Sequence, residues 1–149
     1  MINFIEGKIY FGENQLCLNT AFDAIEKLAK QKLIDKRRTG RGTIYYYVEA
    51  SANSTRFGVF ITLQDKHIEW IRLSWLDSSM KSWEDVSEKA VKEEYHMLLN
   101  LVENLVGRPA DNKGNRLRSW IFHWGQIDVT YDLRAFQADI FMKPQKLKK

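Results

Sequence analysis

The feature that most constrains this chain is a strict alternation: Phe57, Val59, Ile61 and Leu63 against Arg56, Gly58, Phe60 and Thr62. A period of two sends one set to each face of a β-strand, so a half-covered sheet is the natural home for it. Gln64-Asp65-Lys66-His67 has turn composition, and Ile68 to Leu76 returns with Ile71, Leu73 and Trp75 on one side. Glu69 shares their parity. Ile44 to Val48, rich in tyrosine and β-branched residues, predicts a preceding strand, with a turn at Ser51 to Ser54. These strands form an antiparallel meander.

The flanking segments alternate between strand and helix periodicity. Ile2 to Phe11 reads as a hairpin turning at Glu6-Gly7, followed by a loop at Gly12 to Gln15. Leu18, Phe22, Ile25, Leu28 and Ala29 share a helical face, with Asn19 or Thr20 as the cap and Asp23 in the first turn. Asp35 to Gly42 reads as an exposed loop. Ser78 to Asp85 reads as a loop or short turn carrying Met80 and Trp83.

Ser87 is the expected N-cap of a longer helix with an apolar stripe at Val91, Tyr95, Leu98, Val102 and Leu105. Lys89, Lys92, Glu93, Glu94 and Asn100 fill its outer face, and Gly107 and Pro109 end it. Trp120, Phe122 and Trp124 then alternate, and the parity flips to Ile127, Val129 and Tyr131 after Gly125. A one-residue bulge at Gly125 would keep both sets inward. Phe136, Ala138, Ile140 and Met142 form the last strand.

The order ββ-α-βββ-α-ββ lacks βαβ alternation. It predicts an α+β fold: an antiparallel sheet of six or seven strands with two α-helices packed on one face. The 149 residues suit one domain, 1–149, with residues 143–149 as a frayed basic tail.

One cysteine, Cys17, allows neither an internal disulfide nor a cysteine zinc site. Three histidines without a repeated acid–histidine spacing argue against a metal centre, and no cofactor motif is present. No stretch approaches the roughly 18 apolar residues of a membrane span. The first residues lack the basic start and apolar run of a secretory signal. A cytoplasmic, non-membrane protein is the expectation.

Charge is segregated. Residues 30–41 hold six basic groups and one acid, and residues 143–149 hold four lysines. With those ten of the 23 basic residues and one of the 19 acids set aside, the rest carries 13 basic against 18 acidic groups, net −5. The net +4 of the whole chain therefore comes from one loop and one tail.

Four constellations bear on chemistry. Lys36, Arg37, Arg38 and Arg41, with Tyr45 and Tyr47 nearby, could follow a phosphate backbone and stack on bases; a solvated hairpin loop is the plainer reading. Cys17, His96 and His123 could make a Cys–His pair, but no nucleophile–base–orienter set is legible, and enzymatic activity is not expected. Asp128 and Asp132 share the polar side of one strand, with Asp139 on the next: an acid–base pair, or a negative patch for a protein partner. Glu84, Asp85 and Glu88 crowd a helix start, where the dipole favours acids. Among five tryptophans and six tyrosines, Trp70 and Tyr45 have the parity that faces away from the helices, which makes them candidate interface anchors.

Residues 57–143 also carry a resemblance. Its elements are Phe57 to Leu63, Ile68 to Trp75, Ser82-Trp83-Glu84-Asp85, Tyr95-His96, Leu105 to Pro109, and a closing Phe122, Trp124, Gly125, Ile127, Asp132, Arg134 and Ile140. This pattern resembles small bacterial proteins that include cytosolic immunity proteins of polymorphic-toxin systems, among them contact-dependent growth inhibition. The resemblance implies a stoichiometric inhibitor without catalytic residues, whose partner is the C-terminal domain of a cognate toxin. An acidic body suits a basic toxin such as a nuclease. The partner-binding candidates are Asp128, Asp132, Asp139, Trp70, Tyr45, Arg37, Arg38 and Arg41. The alternative is nucleic-acid binding through residues 36–42 and the flanking tyrosines.

Overall fold

The computed structural model describes residues 1–78, 80 and 86–145. Three short strands, β1 (Ile2–Asn3), β2 (Lys8–Phe11) and β3 (Asn14–Cys17), make a small antiparallel sheet. Helix α1 (Phe22–Lys30) follows, then β4 (Asp35–Arg38), β5 (Ile44–Ala52), β6 (Thr55–Gln64) and β7 (His67–Trp75). Helix α2 (Glu88–Val106) leads to β8 (Asn112–Lys113), β9 (Leu117–Phe122), β10 (Gly125–Asp132) and β11 (Gln137–Lys143). The large sheet has eight strands in the order β4-β5-β6-β7-β11-β10-β9-β8, each pair antiparallel. The fold is α+β, as the element order predicts; the N-terminal hairpin belongs to the small sheet, and the large sheet reaches eight strands because residues 120–131 are split between β9 and β10 and the short edge strands β4 and β8 join it.

Alternation decides which face is covered. Tyr46, Phe57, Val59, Ile61, Ile71, Leu73, Ile127, Val129, Ile140 and Met142 point to one side and are buried. The small sheet adds Ile2, Ile9 and Leu16, α1 adds Ile25 and Leu28, and α2 adds Tyr95, Leu98 and Val102 to the same cluster. Both helices and the small sheet therefore lie on one face. No helix among the described residues is long and apolar enough to cross a membrane.

Two hairpins are set by residues that accept positive φ. Asn53 and Ser54 join β5 to β6, and Asp65 and Lys66 join β6 to β7, each pair in the left-handed region that a two-residue turn requires. Near the second turn Thr62 faces Trp70 but Leu63 faces Ile68. Glu69 is the unopposed residue of a bulge, which lets Ile68 and Ile71 both reach the core despite their opposite parity.

Several local expectations are corrected. Asp35 to Arg38 is an edge strand, with the loop confined to residues 39–43. Gly12 to Gln15 contains a turn and the start of β3 rather than a loop throughout. The N-cap of α1 is Ala21 with no side-chain cap, because the Thr20 hydroxyl is engaged by the Cys17 N–H at 2.9 Å. The parity flip at Gly125 comes from a hairpin: Phe122 pairs with Gly125 across a two-residue turn, His123-Trp124. Reversing the chain changes parity as a bulge would. Glu94 belongs to the buried side of α2, three residues from Val91 and four from Leu98. Ser87 caps α2 by accepting from the Ala90 N–H at 3.0 Å, and Gly107 closes it at φ +84°, as expected. The sequence signals at Trp83, Glu84 and Asp85, and residues 146–149 of the basic tail, lie outside the described residues.

Candidate binding face

The residues of opposite parity form the other face of the large sheet. Register places them in rows that cross the strands. One row runs Asp35, Tyr47, Phe60, Arg72, Phe141, Asp128, Ser119 and Asn112, from one edge of the sheet to the other. The adjacent row is Arg37, Tyr45, Thr62 and Trp70. Three candidates from the sequence, Arg37, Tyr45 and Trp70, are thus neighbours on one face.

Cations and rings interleave there. The Arg37 guanidinium lies 4.1 Å from the Tyr47 ring centroid, and that of Arg72 lies 4.3 Å from Phe60. Tyr47 and Phe60 meet edge to face at 5.1 Å, as do Trp70 and Phe141 at 6.5 Å, while the Tyr45 ring is tilted against Phe60 at 6.0 Å. Gly58 makes room for this arrangement: a Cβ there would come within 3.0 Å of the Tyr47 hydroxyl. Tyr45, Phe60, Thr62, Trp70 and Arg72, with Thr39 and Thr43 at the rim, line a hollow of about 350 Å³. Stacking holds each guanidinium in a defined orientation, so little freedom is left to lose on binding. Burial raises the Tyr47 phenol above its ordinary value, with Glu49 adding to the effect and Arg37 opposing it. The Tyr47 hydroxyl therefore acts as a neutral hydrogen-bonding group.

The carboxylates take a different part. Asp128 is 2% exposed and accepts from the Ser119 hydroxyl at 2.7 Å and from Gln126 at 2.8 Å, with the Lys143 ammonium as its ion-pair partner. Asp139 is also buried, 3.7 Å from Arg72, and burial raises its carboxyl above the ordinary range against the opposing pull of that arginine. Both acids support the face from within instead of forming an exposed negative patch. Asp132 is exposed at the end of β10, where it accepts the Arg134 N–H at 2.8 Å and shapes the turn to β11.

The basic segment is divided as well. Lys36 turns to the helix side and pairs with Glu26 at 2.9 Å, next to the Tyr46 hydroxyl that donates to the same carboxylate. These two bonds hold the Glu26 carboxyl below its ordinary value. Arg37 faces Asp35 at 3.4 Å. Arg38 lies on the helix side of β4, and Arg41 lies in the connecting loop; neither has an ion-pair partner among the described residues.

Parity would have found Phe60, Thr62, Arg72 and Phe141, which the sequence reading did not single out. The Cys–His idea gains only proximity: Cys17 and His123 line one cavity of about 280 Å³, while His96 is exposed on α2. No hydrogen bond joins Cys17 to His123 among the described residues, and the Cys17 sulfur is approached by the Thr20 hydroxyl at 3.7 Å. No cluster of three or more His, Cys, Asp or Glu side chains suited to a metal ion occurs among the described residues. No protein-family model, curated protein or solved structure matches the chain.

Proposed function

We propose that the chain is a stoichiometric protein inhibitor, an immunity protein that docks on a bacterial toxin domain through the uncovered sheet face. The observation that carries this reading is the Arg37-Tyr45-Thr62-Trp70 row with Phe60 and Arg72 beside it. Trp, Tyr and Arg are the residue types that concentrate binding energy in protein interfaces, above all when packed together around a hollow. Charge balance favours a protein partner over nucleic acid. Lys36, Arg37, Arg72 and Lys143 each have a carboxylate partner, whereas a phosphate-tracking surface needs unmatched cations.

The test is direct. The domain to try is the C-terminal domain of any large secreted protein whose gene lies directly upstream of this one. The purified chain should bind it one to one and protect cells that express it. Absence of both binding and protection rejects the proposal.

Arg38 and Arg41, unpaired among the described residues, favour one second reading: nucleic-acid binding at the hairpin loop. That reading requires an affinity for DNA or RNA that falls steeply with salt and is lost on combined Arg37→Ala, Arg38→Ala and Arg41→Ala substitution.

A further inference from the structure

Strands β7 and β11 pair over Ile71–Leu73 and Ile140–Met142 only. Beyond Leu73 and Ile140 they part, and a cavity of about 250 Å³ lies between them, lined by Ser74, Ser78, Met80, Glu94, Phe136 and Asp139 among others. Two carboxyl groups from different elements meet here. Glu94, on the buried side of α2, is 8% exposed, and its Oε1 is enclosed without a hydrogen-bond partner among the described residues. Asp139, on β11, is 7% exposed and has Arg72 at 3.7 Å. The Ser78 hydroxyl bonds the Glu94 carboxyl group, but the Glu94 Oε1 has lost water on folding with no hydrogen bond to replace it, which leaves an acceptor site unused.

We infer that this cleft is a binding site for a cationic nitrogen group, an alkylguanidinium or alkylammonium, which donates to Glu94 and Asp139 together. The inference does not rest on the docking proposal: the cleft is built around Glu94 of α2, although Asp139 also pairs with Arg72 of the docking face. Several N–H donors on one cation can reach both carboxylates, and a planar guanidinium does so with two donors in a fixed fork. The walls suit the rest of such a group. Trp75, Leu76, Met80 and Phe136 present apolar surface to a methylene stem, while Ser74 and Ser78 offer hydroxyls. A divalent cation fits less well, because magnesium and calcium require six or more oxygen ligands and two carboxyls supply few of them.

Burial holds both carboxyls above their ordinary range; the Asp139 charge adds to the effect on Glu94, and Arg72 opposes it at Asp139. Among the described residues lining the cavity, Glu94 and Asp139 are the titratable groups, with Arg72 behind Asp139 and the Ser78 hydroxyl bonded to Glu94. A cation binds the ionised carboxylate and must displace its proton at low pH. Affinity therefore rises with pH through the Glu94 titration.

The experiment is a carboxyl-carbon NMR titration of the full chain with n-butylguanidinium chloride, at constant ionic strength. The Glu94 resonance is assigned by its loss in Glu94→Gln. The expected result is a saturable shift of that resonance toward the ionised position, with a Kd of about 1 mM or tighter. Affinity should fall at least about tenfold in Asp139→Asn, a single charge-assisted contact's worth. Thermal unfolding of both variants shows that they are folded. No saturable shift in the wild type, undiminished affinity in folded Glu94→Gln measured by calorimetry, or a response to magnesium in place of guanidinium overturns the inference. Two further ligands separate the sources of the cation. A capped Gly-Arg-Gly tripeptide that binds at least as tightly as free arginine assigns the site to a protein side chain. Tighter binding of free arginine assigns it to a small metabolite.

Discussion

Replacing Asp128 by alanine tests whether the acids of the large sheet are internal supports. The substitution removes the acceptor for the Ser119 hydroxyl and the Gln126 amide and leaves Lys143 without its partner. Breaking a fully buried ion pair from one side costs about 3–5 kcal/mol. Here the Asp128 side chain is 3% exposed but that of Lys143 is 30% exposed, so water recovers part of the ammonium's loss. The expected destabilisation is about 2–4 kcal/mol after that allowance. In urea, with a slope of about 1–3 kcal/mol per molar, the midpoint should drop by about 1–2 M. Asp128→Asn keeps the shape and one acceptor oxygen, and should lose about half as much. Combining Asp128→Ala with Lys143→Met should recover at least about 1 kcal/mol relative to the sum of the single changes, because the stranded cation is gone. A change below about 0.5 kcal/mol in Asp128→Ala would refute the supporting role and return Asp128 to the surface.

Three other outcomes follow from the same structure. Gly7→Ala should cost about 2–4 kcal/mol in denaturant unfolding: Gly7 has φ +68°, its Cβ would run into the Trp124 ring, and the Trp124 N–H bond to the Ile5 carbonyl at 2.8 Å would be displaced. Tyr95→Phe should be neutral or stabilising by up to about 1 kcal/mol, since the buried Tyr95 hydroxyl has no partner among the described residues. Two glutamates should respond oppositely to pH, as read by thermal unfolding of their glutamine variants. Glu94 has a raised pKa in the fold, so the native state takes up a proton first and stability falls as pH rises through that window. Glu94→Gln should gain on the wild type at neutral pH, and the gain should vanish at about pH 3, below both pKa values. Glu26 has a lowered pKa, owing first to the Tyr46 hydroxyl and then to Lys36, so its stabilisation is present at neutral pH and lost as pH falls through the depressed value. Glu26→Gln should therefore be most harmful at neutral pH.

Much of the fold is legible because burial enforces alternation. Phe57 to Leu63 and Ile71 to Trp75 announce the central strands, and Ser87 and Gly107 bracket α2 by capping chemistry. Strand β4 is not legible: all four of its residues are charged, and its structure comes from backbone pairing with β5. Charge on such an edge also opposes unwanted pairing with other chains, so the sequence of a protected edge resembles that of a loop. Gly125 misleads for a different reason, since a bulge and a two-residue hairpin turn produce the same flip in parity. Part of the proposed binding face follows the same logic. Parity alone turns Trp70 and Tyr45 away from the helices. Register, which local sequence does not encode, brings Arg37 beside Tyr45 and Arg72 beside Phe60. Burial of Asp128 and Asp139 depends on what neighbouring strands place around them, and alternation of polar and apolar residues does not report that.

The central claim is that the uncovered face grips a partner. Its most direct test is calorimetric titration of the proposed toxin partner domain into the wild type, into Trp70→Ala and into Lys89→Ala, a control on the exposed side of α2. Loss of a central aromatic anchor should weaken binding by about 30-fold or more, equivalent to at least about 2 kcal/mol. The Lys89 variant should bind as the wild type does. Equal affinity for all three proteins, with Trp70→Ala still folded, would contradict the account.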